Sequence, residues 1–156
     1  MLVAVVYAQI EGFFDSVMDS PSPGLRAVDF GDLAGVTGGL KLVERYRERF
    51  HLGFFGLRAG DGALIDELDG LARRDRRLFV VTLGADGSHA LGGARRIACP
   101  AVEVAHVVDT TGAGDSFAAG FLREYCVSRD VARSLARGSQ EAAAAVQRIG
   151  AFPWED

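Results

Sequence analysis

Asp109-Thr-Thr-Gly112-Ala-Gly114-Asp115-Ser-Phe117 is the stretch whose reading decides the fold. An apolar, β-like segment, Val102 to Val108, precedes it, and a helical pattern opens at Asp115. Small residues at such a junction bring the backbone close to a ligand. They also turn its amides toward one point, at the positive end of a helix dipole. That arrangement suits an anion. The carboxylate beside it has two readings. Asp at a helix start caps free amides and complements the dipole, and Gly is common in β-to-α loops. Alternatively, Asp115 is a general base beside an anion hole, and the reaction is phosphoryl transfer.

Outward from this junction, apolar runs alternate with helical patterns. Leu2 to Tyr7, Ala27 to Phe30, His51 to Phe55 and Leu78 to Leu83 read as strands. The last is continuously apolar and β-branched, as in a parallel sheet covered on both sides. Ser88 to Leu91 and Arg96 to Val108, with Gly92-Gly93 between them, read as a hairpin or antiparallel edge. Apolar residues at helical spacing predict helices over Gly39 to Phe50, Asp61 to Arg74, Asp115 to Cys126 and Asp130 to Ile149, the last ended by Gly150. The expected fold is α/β: one domain over residues 1–156, three layers α/β/α, with a mainly parallel, Rossmann-like sheet and helices on both faces.

Bulk properties exclude several classes. At 156 residues the chain has the size of one ordinary domain, enough to bury roughly 68–70% of its unfolded surface. Hydrophobic content of 49% and charged content of 24% are those of a soluble globular protein. A net charge of −4 argues against a nucleic-acid partner. The cluster Arg73, Arg74, Arg76 and Arg77 reads as a solvated helix C-terminus. Cys99 and Cys126, like His51, His89 and His106, lack metal-site spacing; the thiols read as buried or half-buried in a reducing compartment. Met1 to Tyr7 is too short to span a membrane and lacks a basic flank, so no membrane partner and a cytoplasmic location are expected. The dinucleotide fingerprint fails, because Phe117 stands where its third small residue belongs. That counts against a dinucleotide-dependent oxidoreductase. No Walker-type Gly-x-x-x-x-Gly-Lys-Ser/Thr occurs.

The longer run Asp109-Thr-Thr-Gly-Ala-Gly-Asp115-Ser-Phe-x-x-Gly-Phe121 resembles the second signature of the PfkB, or ribokinase-like, family of sugar kinases. Thr82-Leu-Gly84-Ala-Asp-Gly87 resembles that family's Thr-x-Gly-x-x-Gly pattern at the usual distance before it. By itself this second motif is equally a plain strand-turn-strand connection. The resemblance implies an ATP-dependent kinase acting on the hydroxyl of a sugar or sugar derivative, with magnesium on the phosphates. It implies that the Gly112, Ala113 and Gly114 amides form the anion hole and that Asp115 is the base. Thr82, Gly84 and Gly87 would contact the nucleotide. Asp109 and Thr111, with carbonyls around Gly150, match positions that help to bind potassium; Asp109 could equally be a turn residue bonding its own loop.

The resemblance is strong from Leu78 to about Ala151 and faint before it. Its first Gly-Gly signature, its lid and its Asn-x-x-Glu motif have no counterpart in this sequence. Gly53-Phe-Phe-Gly56 stands near the place of that last motif and resembles the fructosamine and fructoselysine kinase branch. The chain therefore looks like the C-terminal, nucleotide-binding and catalytic half of such a kinase. The other reading is a catalytically silent nucleotide-binding module. A sheet cut through its middle exposes a strand edge. Self-association along Met1 to Tyr7, or dependence on a missing N-terminal segment, is expected.

Overall fold

The computed structural model describes residues 2–5, 15, 16, 19, 24–32 and 39–151. These form two compact units, Met1–Leu83 with Ala90–Arg96, and Gly84–His89 with Ile97–Asp156.

The first unit carries four parallel strands: β1 (Leu2–Val5), β2 (Arg26–Asp29), β3 (Leu52–Gly56) and β4 (Leu78–Thr82). Strand β5 (Ser88–Leu91) lies next to β4 in the sheet, and its second half belongs to this unit. The register aligns Ala27 with Leu52, and Phe54 with Val80. One sheet face therefore carries Ala27, Leu52, Phe54 and Val80; the other carries Val28, Phe55, Phe79 and Val81. All eight are buried, which is why these strands read as apolar runs without alternation. Gly53 and Gly56, near the missing Asn-x-x-Glu motif, both lie within β3.

Helices α1 (Gly39–Tyr46) and α2 (Gly62–Asp75) supply Val43, Tyr46, Ile65, Leu68 and Leu71 to the core of the Val28, Phe55 and Phe79 face. Phe30 stacks on Phe55 with ring centroids 5.0 Å apart. The spacing predicts α1 to Phe50, but the helix stops at Tyr46. Arg49 turns back to the Tyr46 carbonyl and His51 donates to the Arg26 carbonyl, so strand pairing claims the chain at that point. Of the first expected strand, Val6 and Tyr7 lie outside the described residues.

The arginine cluster at the end of α2 is tied into its own unit. Arg73 bonds Asp69, Arg74 bonds Asp75, and Arg77 donates to the Arg47 carbonyl. Asp69 is 6% exposed and also accepts from the Gly92 amide and from Arg96. Burial alone would raise its pKa. The hydrogen bonds from Arg73, Gly92 and Arg96 outweigh that and hold the carboxyl below its ordinary value.

The second unit contains a 3-10 turn (Gly84–Asp86), the first half of β5, strand β6 (Ile97–Cys99) beside it, and helices α3 (Ala113–Ser128) and α4 (Val131–Ala145). The two helices pack through Phe117, Phe121, Leu122 and Leu135, all buried. Asp130 caps α4 by accepting from the Arg133 amide. Expectation and structure differ in three places here. Val102 to Val108 is not a strand: Val107 is 61% exposed and Val108 53%, and the Val108 and Asp109 amides donate to the Val146 carbonyl rather than to a ladder. Helix α4 ends at Ala145 instead of Ile149, leaving a turn before Gly150, which has φ 79°. Cys126 is an exposed thiol, whereas Cys99 is half-buried. The α/β, mainly parallel architecture stands.

Candidate functional site

Every residue of the Asp109–Asp115 run lies in the second unit, at the start of α3. Gly112 is the N-cap with φ 77°, ψ 4°, a left-handed conformation that glycine adopts freely. A Cβ there would stand 2.8 Å from the Ala151 Cβ, so the position needs glycine twice over. Ala113, Gly114 and Asp115 are the first three helical residues, two positions earlier than the sequence pattern suggests. A helix leaves its first amides without intrahelical acceptors. Ala113 donates to the Thr110 carbonyl at 3.2 Å. Among the described residues no hydrogen bond engages the amides of Gly112, Gly114 or Asp115.

Gly114 differs from its neighbour. A Cβ at that position would meet nothing within 4 Å, so packing does not demand glycine. Glycine in a helix costs about 1 kcal/mol against alanine. Open space above a bare helix N-terminus is what an approaching anion requires. The Asp115 side chain is exposed, with no hydrogen bond or ion pair among the described residues. Its carboxylate therefore caps nothing.

Asp109 plays a different part. Its Oδ1 accepts from the Thr111 amide at 2.9 Å and the Thr111 hydroxyl at 2.7 Å, and its Oδ2 accepts from the Gly150 amide at 3.0 Å. The Thr111 hydroxyl, then the Thr111 and Gly150 amides, hold this carboxyl below its ordinary pKa. Asp109 thus fastens the loop before α3 to the turn after α4. The loop-bonding reading of Asp109 is realised in this geometry. Three of a carboxylate's roughly four acceptor positions are occupied, and one remains. Among the described residues no group of three His, Cys, Asp or Glu side chains could hold a metal.

A pocket of about 300 Å³ opens beside this helix start, wholly within the second unit. Gly84 and Gly87 of the second motif line it, with Thr110, Ala113 and Phe117 of the α3 region. Gly87 has φ 92°, and a Cβ there would lie 2.3 Å from the Cys99 carbonyl, so the backbone alone explains that glycine. Thr82 belongs to the first unit, where its hydroxyl donates to the Phe55 carbonyl at 3.4 Å. The remaining walls escaped sequence reasoning: Val107 from the exposed loop, and Ser139, Ala143 and Val146 from α4 and its end. Their signal was present. Positions 139, 142, 143 and 146 repeat at i, i+3, i+4 and i+7, and small side chains along that stripe leave room. An apolar cleft of this size with a few polar groups at one end suits a planar organic group carrying an anion.

The sequence model of the pfkB family carbohydrate kinases matches residues 62–155. The chain is similar to the fructosamine kinase of Bacillus subtilis (strain 168), 40% identical over 76 residues, which are 49% of this chain and 26% of that protein. It is also similar to the fructoselysine 6-kinase of Shigella flexneri, 38% identical over 92 residues, 59% of this chain and 35% of that one. The nucleoside kinase of Methanocaldococcus jannaschii, described as an archaeal member of the ribokinase family, superposes with a TM-score of 0.75. That superposition covers 96% of this chain and 50% of the other at 22% identity, which shows a common fold. The matched region spans 26–35% of the length of these two curated relatives.

Proposed function

This chain belongs to the pfkB family of carbohydrate kinases, and from that premise we propose that it performs ATP-dependent transfer of the γ-phosphoryl group to a hydroxyl of a sugar or sugar derivative. The observation that carries the proposal is the start of α3. It combines unpaired amides, a Gly114 that packing does not require, and an exposed, unpaired Asp115 carboxylate, on the same helix turn whose Ala113 and Phe117 line an apolar pocket. In this reading the base and ribose occupy the pocket between Gly84, Gly87 and the small residues of α4. The Gly112 and Gly114 amides, with the helix dipole, hold charge that develops on the transferred group. The Ala113 amide joins them once it exchanges its Thr110 acceptor for the phosphoryl oxygen. Asp115 takes the proton from the attacking hydroxyl. The family resemblance, rather than the pocket lining, assigns Thr82 to the nucleotide.

Magnesium, when bound, neutralises phosphate charge, and it is held largely through the phosphates with one or two carboxylates. Potassium fits the oxygen-only set of Asp109, Thr111 and the carbonyls near Gly150, given the acceptor position that Asp109 retains. The names of the curated relatives make fructosamines the first acceptors to try. Among the described residues no helix is long and apolar enough to cross a membrane, and a kinase drawing on cellular ATP would work in the cytoplasm.

The test is an ADP-release assay over a panel of sugars and fructosamines, paired with calorimetry using ATP and magnesium. Asp115→Asn should lower turnover by roughly 10²–10⁴-fold and leave nucleotide affinity nearly unchanged. Undiminished turnover in that variant ends the general-base role. Nucleotide binding with no release on any acceptor favours the silent module instead.

A further inference from the structure

Helices α3 and α4 flank a second, solvent-open cavity, separate from the apolar pocket. It measures about 230 Å³ and is lined by Ser116, Gly120 and Arg123 of α3, with Glu141 of α4 and Arg148 beyond its end. The floor is set by a close approach of the helices. A Cβ on Gly120 would lie 2.6 Å from the Glu141 Cγ and 3.0 Å from the Arg137 carbonyl. The charges do not balance. Arg123 is exposed, with no hydrogen bond or ion pair among the described residues. Arg148 is half-buried, and its Nε is fully buried without an acceptor. The one carboxylate in the lining, Glu141, is held by Arg137 at 2.5 Å. Nearby Glu124 faces Arg133 at 2.9 Å.

Two arginines, neither ion-paired among the described residues, thus line one small space whose single carboxylate, Glu141, is already paired with Arg137. A charged donor buried without an acceptor is unfavourable, so native proteins rarely leave one so. Arginine forks match tetrahedral oxyanions, which can accept paired hydrogen bonds from both groups at once. The Ser116 hydroxyl adds a further donor. The cavity is also larger than a bare ion needs, and the Glu141 carboxylate can accept from hydroxyls.

We propose that this cavity is a binding site for a phosphate-class oxyanion, either inorganic phosphate or the phosphate of a small phosphorylated metabolite. It is distinct from the cradle at the α3 N-terminus and stands whether or not the kinase reading does. Bound phosphate bridges Arg123 and Arg148 and so braces the end of α4 against α3.

The arginine Nε–Hε signals of the full chain, followed by NMR, provide the test. Inorganic phosphate and glycerol 3-phosphate are titrated separately at ionic strength held constant with chloride. Saturable shifts at Arg123 and Arg148 are expected, and affinity should fall at least about tenfold in Arg123→Gln and Arg148→Gln. Arg148→Lys, which keeps the charge and loses the fork, should fall between. Tighter binding of glycerol 3-phosphate assigns the site to a phosphorylated metabolite; equal binding assigns it to inorganic phosphate. Shifts confined to the Gly112–Asp115 amides, shifts that never saturate, or affinity indifferent to both glutamine variants would overturn the proposal. Arg123 lies on an exposed helix face, so its variant should fold normally and keep the test decisive.

Discussion

Gly114 and Asp109 sit five residues apart and answer to different forces. No neighbour limits a side chain at Gly114, so Gly114→Ala should stabilise the chain by up to about 1 kcal/mol, less the nearer the position is to the helix end. The same methyl intrudes on the anion cradle, so phosphoryl transfer should weaken while thermal stability rises. Thermal denaturation and ADP release measured on one preparation would show both. A variant equally active and more stable would mean the glycine serves no ligand. Asp109 serves the loop. Its folded pKa is lowered by the Thr111 hydroxyl, the Thr111 amide and the Gly150 amide. The stabilisation it contributes is therefore fully present above the unfolded carboxyl value of about 4, and is lost as pH falls through the lower folded value. The Thr111 and Gly150 amide shifts, titrated together by NMR, should move with one midpoint below that of an ordinary Asp. Separate midpoints, or one at the ordinary value, would contradict the shared tie.

At the level of elements, α2 carries a carboxylate on its buried face, and α4 carries small residues along one stripe. Asp69 falls on the buried stripe of α2, where it gathers Arg73, Arg96 and the Gly92 amide. Removing it deprives Arg73 and the Gly92 amide of that acceptor and leaves Arg96 with Asp66 alone. Asp69→Ala should therefore cost about 2 kcal/mol, read by urea denaturation, whereas Asp66→Ala, which removes only the exposed partner of Arg96, should cost well under about 1 kcal/mol. Equal costs would show that the Asp69 network adds nothing beyond a surface pair. Ser139, Ala143 and Val146 of the α4 segment share one helical stripe. Their small volumes leave a cavity beside α3.

For the molecule as a whole, β1 is the first strand in the sheet order, and it pairs with β2 alone among the described strands. An unpaired strand edge is a template for another chain. We therefore expect concentration-dependent self-association in sedimentation velocity, suppressed by a lysine substituted into Leu2–Val5. A monomer at every concentration tested would dismiss the edge as a contact surface.

Sequence alone determined the strand-helix alternation, the glycine-built start of α3 and the kinship of residues 62–155. These are local properties: hydrophobic period, backbone freedom at glycine and a dense signature all act within a few neighbouring residues. Tertiary structure decided the rest. It withdrew Val102–Val108 from the sheet by giving the Val108 amide, and that of Asp109 after it, to the Val146 carbonyl, and it made Asp109 a fastener across 41 positions to Gly150. It also brought Arg123 and Arg148 to one cavity. Hydrogen bonds and shared cavities depend on which distant segments meet, and no local pattern encodes that meeting.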